Sequence, residues 1–209
     1  PGVFSVSDTK QVKFSQGNLQ YQASTNTWRF AEHQYDYIGD ANSNISSTYN
    51  GWIDLFGWGT SGWNSGAKAY QPYSTSKTKS DYYPGNSATT NLTGTYANAD
   101  WGVYNAISNG GNAKGLWRTL TKDEWKYLFK SRTNYDKLWS FATVNGIKGV
   151  VLLPDSWSLP SGLSFTAASK DFGTNVYTVA HWTQMEKAGA VFLPAAGYRF
   201  VLSMNDVGT

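Results

Sequence analysis

The sequence predicts an α+β fold in which two helices pack on a small, twisted and mainly antiparallel sheet, with much of the chain in loops. A helix start at Thr121 and an Asn145-Gly146 turn between two apolar runs carry this prediction. A long glycine- and aromatic-rich stretch, which has neither helical nor strand periodicity, predicts the loops. The 209 residues suit one domain. We therefore expect a single domain over residues 1–209, with a large loop insertion at about 38–100.

The first 37 residues predict short strands. Apolar and polar residues alternate there, as they do in half-buried strands. Strands are expected at residues 3–6, 12–15, 19–22 and 28–30, and a short helical turn at residues 31–37.

Residues 50–64 combine recurrent glycines with four large aromatic side chains: Trp52, Phe56, Trp58 and Trp63. They predict a compact loop packed by its own aromatics. Residues 65–100, which are mostly small and polar, continue this loop-rich region.

The clearest helix follows Thr121. Thr121 and Glu124 have the spacing of a capping box, in which the two side chains bond free backbone N–H groups reciprocally. Trp125, Leu128 and Phe129 then form an apolar stripe at helical spacing, so Trp125 should pack inward. We expect this helix to end near Arg132.

The C-terminal part predicts a hairpin, a second helix and a final buried strand. Asn145-Gly146 separates the apolar runs 141–144 and 147–153, and a type I′ turn suits these two residue types because both adopt positive φ readily. The second helix is expected at residues 179–187, with Gly189 as its stop, and the strand at residues 190–193.

Composition excludes several classes of protein. Charged residues make up 15% and aromatic residues 16%, which is unlike a disordered chain or a coiled coil. The absence of cysteine excludes disulfide scaffolds, thiolate metal sites and cysteine nucleophiles. Lysines are scattered, which disfavours nucleic acid as a partner, and no apolar run approaches the roughly 20 residues of a membrane span.

Metal and catalytic motifs are weak. The only histidines are His33 and His181, too few for a nitrogen-ligated zinc site without a carboxylate. Asp40, Asn42 and Asn44 alternate as calcium ligands do, but Ile45 stands where a calcium loop has glycine. The alternative is a turn rich in side-chain-to-backbone bonds. We predict no cofactor, with structural calcium at this turn as the alternative, and no enzymatic activity.

Aromatic side chains are the remaining functional indication. Trp and Tyr bury a large area at low entropy cost and dominate binding hot spots. The predicted ligand-binding residues are Trp63, Tyr70, Tyr73, Tyr82 and Tyr83. The tyrosines lie among polar residues and should be exposed. The alternative for Trp52, Phe56 and Trp58 is a small core within the insertion.

Two motifs carry a family resemblance. Residues 116–125 (LWRTLTKDEW) and 191–199 (VFLPAAGYR) resemble the formylglycine-generating-enzyme-like branch of the C-type lectin fold, and residues 100–102 (DWG) fit the same pattern. Together with the predicted N-terminal strands and the glycine- and tryptophan-rich segment, these motifs make most of the chain resemble surface proteins of gut Bacteroidetes, whose relatives include the variable proteins of diversity-generating retroelements. The resemblance implies a C-type lectin-like fold.

Five residues of these motifs are predicted to be structural: Arg118, Thr121, Glu124, Trp125 and Arg199. Arg118 precedes a capped helix. Arg199 follows a buried strand and should pair with a carboxylate or with loop carbonyls.

Departures from the family narrow the expected function. Formylglycine-generating enzymes use cysteines, the related iron-dependent sulfoxide synthases use a histidine set, and animal lectins use calcium-binding sugar motifs. This chain lacks all three sets. We therefore expect a non-catalytic, ligand-binding domain at a bacterial cell surface, with a protein or glycan as partner. The alternatives are an enzyme of the same superfamily with an altered site, and a stalk or pilus-associated structural module.

The chain ends at turn-like residues 206–209, whereas the resembled family continues with a segment rich in Tyr, Trp, Ser and Asn and with closing strands. We expect such a closing segment after Thr209, and part of the binding surface with it. The extracellular or surface location is expected from composition and resemblance. The sequence given starts at Pro1 and carries no signal peptide.

Overall fold

A computed structural model describes residues 2–57, 60–62, 67–75, 98–200 and 203–209. In this part of the chain the protein is mixed α+β, with small sheets and few helices, which confirms the predicted class. The helices are α1 (Trp101–Tyr104), α2 (Lys122–Lys130) and α3 (Val179–Lys187). The strands are β1 (Phe4–Ser5), β2 (Gln11–Val12), β3 (Leu19–Gln22), β4 (Thr27–Phe30), β5 (Trp139–Val144), β6 (Ile147–Leu152), β7 (Val176–Tyr177), β8 (Val191–Pro194), β9 (Tyr198–Phe200) and β10 (Ser203–Asn205).

The largest sheet has the strand order β7-β5-β6-β8. The β5–β6 and β6–β8 pairs are antiparallel, and the short β7 pairs with β5 in parallel. Each of the pairs β1–β2, β3–β4 and β9–β10 forms a small antiparallel sheet of its own. The prediction of a small, mainly antiparallel sheet is confirmed.

The two predicted helices cover opposite faces of this sheet, because neighbouring residues of a strand point to opposite sides. Trp182 and Met185 of α3 lie in one buried cluster with Val151. Leu128 of α2 lies in another with Leu152, the next residue of β6. The sheet is therefore a layer between α2 and α3, and β1 contributes to the α2 side through Phe4.

The capping box that opens α2 is formed as predicted. The Thr121 hydroxyl accepts from the Glu124 N–H, and the Glu124 carboxylate accepts from the Thr121 N–H. The helix ends at Lys130, slightly before the predicted Arg132. Trp125 is half-buried and faces the α2-side cluster, with its ring centroid 5.9 Å from that of Phe14.

The hairpin and the second helix also follow their local signals. Asn145 and Gly146 have φ values of 50° and 79°, as a type I′ turn requires. Helix α3 spans the predicted residues, with Thr178 as N-cap accepting from the His181 N–H. Gly189, with φ of 102°, allows the chain to leave the helix toward β8.

The short turn predicted at residues 31–37 is present as one hydrogen-bonded turn, in which the Asp36 N–H donates to the His33 carbonyl oxygen at 3.1 Å. The Asp36 carboxylate accepts from the His33 N–H in the same turn. Phe56 packs against residues outside its own loop: its ring lies 5.4 Å from that of Trp28 and 5.1 Å from that of Trp101, while Trp58 and Trp63 lie outside the described residues. Together with Ile53, which bridges to Tyr21, it belongs to a third buried cluster around β3–β4.

Arg132 joins α2 to the large sheet. It is 1% exposed and donates to the carbonyl oxygens of Leu128, Leu138 and Leu153 at 2.9–3.1 Å. A 3.3 Å contact with Asp155 partly balances its charge. Because burial disfavours the charged form, the pKa of Arg132 is lowered despite this carboxylate.

No helix in the described residues has both the length and the apolar character needed to cross a membrane.

Candidate functional site

We use the name loop region for residues 38–57, 60–62 and 67–75, the described part of the predicted insertion. Its centre is Asn42, which is fully buried. The Asn42 amide nitrogen donates to the carbonyl oxygen of Gly39 and to the carboxylate of Asp54, at 2.9 and 2.8 Å. Its amide oxygen accepts from the N–H groups of Asp54 and Leu55, both at 2.8 Å. One side chain thus ties the 3₁₀ turn Gly39–Ser43 to the segment after Ile53.

This geometry favours the turn interpretation of residues 40–44 over a calcium loop. The Asn42 oxygen, which calcium would need, faces two backbone N–H groups. The Asn44 side chain donates to the Ala41 carbonyl. Within the described residues, no group of three His, Asp or Glu side chains is placed to hold a metal ion.

Asp54 completes the Asn42 network. Its second carboxylate oxygen accepts from the Ile38 N–H at 2.9 Å. Burial raises the pKa of Asp54, and the hydrogen bonds from Asn42, Ile38 and Asn18 oppose that rise. Keeping this carboxylate charged therefore costs folding free energy, and the network offsets part of the cost.

Arg199 ties the loop region to the C-terminal strands. Its guanidinium donates to the carbonyl oxygens of Pro72 and Ser74 at 2.9 and 3.0 Å, and approaches that of Asn42 at 3.5 Å. Loop carbonyls were one of the two kinds of partner expected for it. The guanidinium fork suits this task because it presents several fixed donors at once.

The predicted ligand-binding residues fall into two groups. Trp63, Tyr82 and Tyr83 lie outside the described residues. Tyr70 and Tyr73 are both half-buried. Tyr73 packs against the third cluster near Tyr21, and burial raises its pKa. Tyr73 is thus less exposed than its polar neighbours in sequence predict.

Trp52 precedes Ile53, a residue of the third cluster. The Arg29 guanidinium lies 3.7 Å from the centre of the Trp52 ring, in cation–π geometry. Arg29 also donates to the Gln20 side chain at 2.8 Å. Trp52 is half-buried, and the Arg29 guanidinium covers one face of its ring.

The predicted structural residues around α2 form a connected joint. Arg118 binds both carboxylate oxygens of Glu124, at 2.6 and 2.8 Å. Asp100 accepts from the Thr119 N–H at 2.8 Å and caps α1 by accepting from the Gly102 N–H. The joint therefore connects α1, the 116–121 segment and α2.

A second feature is a pocket of about 330 Å³, which we call the scaffold pocket. It lies between the N-terminal segments and the turn from α3 into β8. Its walls include three aromatic and five polar side chains: Phe14, Phe30, Trp117, Ser15, Gln16, Gln34, Asn109 and Glu186. Gly189, Ala190 and Val191 form another part of its wall.

Two of these polar groups, Gln34 and Glu186, come from parts of the chain that are distant in sequence. Gln34 is 6% exposed, and its amide oxygen accepts from the Phe192 N–H at 2.7 Å. Burial raises the pKa of Glu186, and the nearby charge of His33 opposes that rise. His33 itself contacts Asp36 at 3.2 Å and stacks on Tyr35, whereas His181 is exposed on α3.

Sequence reasoning did not single out Gln34 or Glu186 of the scaffold pocket. Gln34 and Phe192 lie 158 positions apart, so no local pattern connects them. Glu186 occupies the last turn of α3, where the helical pattern explains its polarity without a ligand.

The chain matches no protein-family model, and searches of curated proteins and of solved structures gave no significant match.

Proposed function

We propose that this chain is a non-catalytic ligand-binding domain of a bacterial cell surface, with a C-type lectin-like fold, and that it binds a protein or glycan through its aromatic-rich loops. The lectin-like fold rests on the motifs at 116–125 and 191–199. Glu124 and Arg199 in these motifs make structural contacts, the first with Arg118 and the second with loop carbonyls.

The observation that carries this proposal is the anchoring of the loop region on a packed frame. Arg199 holds the carbonyls of Pro72 and Ser74, and Asn42 holds Asp54 and Leu55. A loop whose ends are fixed loses less conformational entropy on binding, so its aromatic residues can contribute more affinity. Binding loops on a rigid scaffold are the common division of roles in such domains.

The test is a screen of the chain against glycan and protein arrays, followed by titration of the strongest binder. We expect Trp63→Ala, Tyr82→Ala or Tyr83→Ala to weaken binding about thirtyfold, as truncation of a hot-spot aromatic does. Tyr135→Ala is the matched control, because Tyr135 is 40% exposed and lies in the turn after α2. A binder that all three loop variants bind as tightly as the wild type would contradict the proposal.

A further inference from the structure

Asn-Gly pairs occur three times in the chain, at residues 50–51, 109–110 and 145–146. In such a pair the backbone nitrogen of glycine can attack the carbonyl carbon of the Asn side chain, because the two groups are held close together and glycine has no side chain to hinder the approach. The attack requires the peptide plane between the two residues to turn. Its rate therefore depends on whether the fold holds that plane and the Asn side chain in place.

The fold holds Asn109-Gly110 at the groups that this attack needs. The Asn109 amide oxygen accepts from the Phe30 N–H at 2.7 Å, and its amide nitrogen donates to the Phe30 carbonyl oxygen at 2.9 Å. The Gly110 N–H donates to the carbonyl oxygen of Ile107 at 2.9 Å. All three bonds must open before the Gly110 nitrogen can reach the side chain.

Asn50-Gly51 is held in part. The Asn50 carbonyl oxygen accepts from the side-chain amide of Gln22, which restrains the peptide plane. The Tyr49 ring packs so closely on Gly51 that it would collide with a side chain there. Asn50 itself is exposed.

Asn145-Gly146 is free at the same groups. Both residues are exposed, in the turn between β5 and β6. Among the described residues, none forms a hydrogen bond with the Asn145 side chain, the Asn145 carbonyl oxygen or the Gly146 N–H. Apart from its chain neighbours, no described residue has an atom within 4 Å of the place that a Gly146 Cβ would take. The Asn145 N–H donates to the Tyr177 carbonyl oxygen at 2.9 Å, but this group takes no part in the attack.

From this comparison we infer that Asn145 is a self-modification site, which the folded chain converts to aspartate and isoaspartate with water as the co-reactant. The Gly146 nitrogen loses its proton to a base in the solvent and bonds to Cγ of Asn145. The Cγ–Nδ2 bond breaks, and Nδ2 takes up a proton and leaves as ammonia. Water then opens the resulting succinimide ring at either of its two carbonyl carbons, which gives aspartate or isoaspartate. This site goes beyond the proposed function, since it involves no ligand.

Isoaspartate at this position should loosen one edge of the large sheet. It lengthens the main chain of the turn by one carbon atom, whereas a type I′ turn joins its strands through two ordinary residues. The pair Val144–Ile147 and the bond from residue 145 to Tyr177 adjoin this turn. Strand β7 pairs with β5 at Thr143 and Val144, so its attachment lies at the same end of the hairpin.

The experiment is incubation of the chain in mildly alkaline buffer, followed by peptide mapping. Mass spectrometry detects the replacement of NH₂ by OH, and chromatography separates isoaspartyl from aspartyl peptides. We expect Asn145 to react about a hundredfold faster than Asn109, where three hydrogen bonds must open first, and Asn50 to fall between them. In urea the three sites should react at similar rates, because the fold no longer distinguishes them.

A variant tests whether a held peptide plane sets the rate. Gln22→Ala releases the Asn50 carbonyl oxygen, so the rate at Asn50 should rise about fivefold while that at Asn145 stays unchanged. Gln184→Ala is the matched control, since Gln184 is exposed on α3 and should alter neither rate.

The isolated isoaspartyl form tests the effect on the sheet. Exchange of the Val144 and Ile147 amides should rise about tenfold, as expected when one or two hydrogen bonds are lost. The amides of Trp139 and Leu152, which pair at the other end of the hairpin, should keep the wild-type rate.

Three results would overturn the inference. One is a rate at Asn145 in the folded chain that does not exceed the rates at Asn50 and Asn109. Another is conversion to aspartate without isoaspartate, which would exclude the succinimide. Unchanged exchange at Val144 and Ile147 in the isoaspartyl form would refute the loosening of the sheet edge. A chain that binds no array ligand should still show the expected order of rates, so failure here is distinguishable from failure of the proposed function.

Discussion

The large sheet with α2 and α3 is held together differently from the loop region. In the sheet part, backbone ladders and two apolar clusters dominate, and α2, α3 and the β5–β6 hairpin begin or end on local sequence signals. In the loop region, a few polar side chains bind backbone groups far away in sequence, as Asn42 and Arg199 do. A domain built this way can change its loop geometry through single polar substitutions while its frame stays folded.

The largest effect on stability is expected for Arg132, whose charged side chain is buried between α2 and the large sheet. Arg132→Met removes the side-chain donor from the carbonyl oxygens of Leu128, Leu138 and Leu153, of which Leu138 keeps the Leu153 N–H, and it leaves Asp155 without its cation. We expect a loss of about 3 kcal/mol in the free energy of unfolding, because a buried carbonyl that loses its donor costs about 1–3 kcal/mol. Urea denaturation measures it.

Lys130→Met is the matched control for Arg132, because Lys130 is exposed at the end of the same helix. If both variants unfold at the same urea concentration, Arg132 does not join α2 to the sheet.

A smaller and local effect is expected for Asn42→Ala. The substitution removes the two bonds that Asp54 and Leu55 donate to Asn42, and we expect their amide exchange to rise about thirtyfold, equivalent to about 2 kcal/mol. Exchange of the β6 amides of Val151 and Leu152 should stay at the wild-type rate. Hydrogen exchange measured by NMR gives both rates in one experiment.

Asn44→Ala is the control for Asn42, since the Asn44 side chain is exposed and bonds only within its own turn. Equal acceleration in the loop region and in β6 would show that the two regions unfold together, and the comparison between them would fail.

The smallest effect concerns the Arg118–Glu124 pair and depends on pH. Burial favours the neutral form of Glu124, but the bonds from Arg118 and Thr121 outweigh it, so the pKa of Glu124 is lowered from its ordinary value of 4.5. A lowered pKa stabilises the folded chain at any pH above the pKa that Glu124 has when unfolded. This stabilisation is lost as the pH falls through the pKa that Glu124 has in the folded chain. Arg118→Met should therefore cost under about 1 kcal/mol at pH 7, because Arg118 is largely exposed.

The measurement for this pair is urea denaturation of the wild type and Arg118→Met at several pH values. The difference between them should shrink as pH falls below 4.5. A difference that is constant from pH 7 to pH 3 would show that Arg118 acts through packing and not through the Glu124 charge.

The contrast between the sheet part and the loop region also explains which elements the sequence could predict. Helix α3, the capping box of α2 and the Asn145-Gly146 turn depend on residues within one or two turns of each other, so their patterns are visible in the sequence. Strands β1 and β2 are shorter than predicted, because only two residue pairs form between them. Strand β7 has two residues and its parallel partner is distant in sequence, so no alternating pattern predicts it.

Local sequence patterns do not predict most contacts of the candidate sites, because these contacts join residues that are distant in sequence. The sequence motif around Arg199 indicated loop carbonyls as one kind of partner, but not that these belong to Pro72 and Ser74. The scaffold pocket needs Gln34 and Glu186 brought together by the tertiary fold. Tyr73 is less exposed than predicted, because it packs against the third cluster, and its polar neighbours in sequence do not reveal this contact.

The most direct test of the central claim is to map, by NMR, where the strongest array ligand contacts the chain. Binding through the aromatic loops predicts that amide shifts concentrate at residues 60–83, with Trp63, Tyr82 and Tyr83 among them. The hairpin amides of β5 and β6 should keep their positions. Shifts confined to the hairpin and to α2 or α3 would contradict the account, because the frame and not the loops would then carry the ligand.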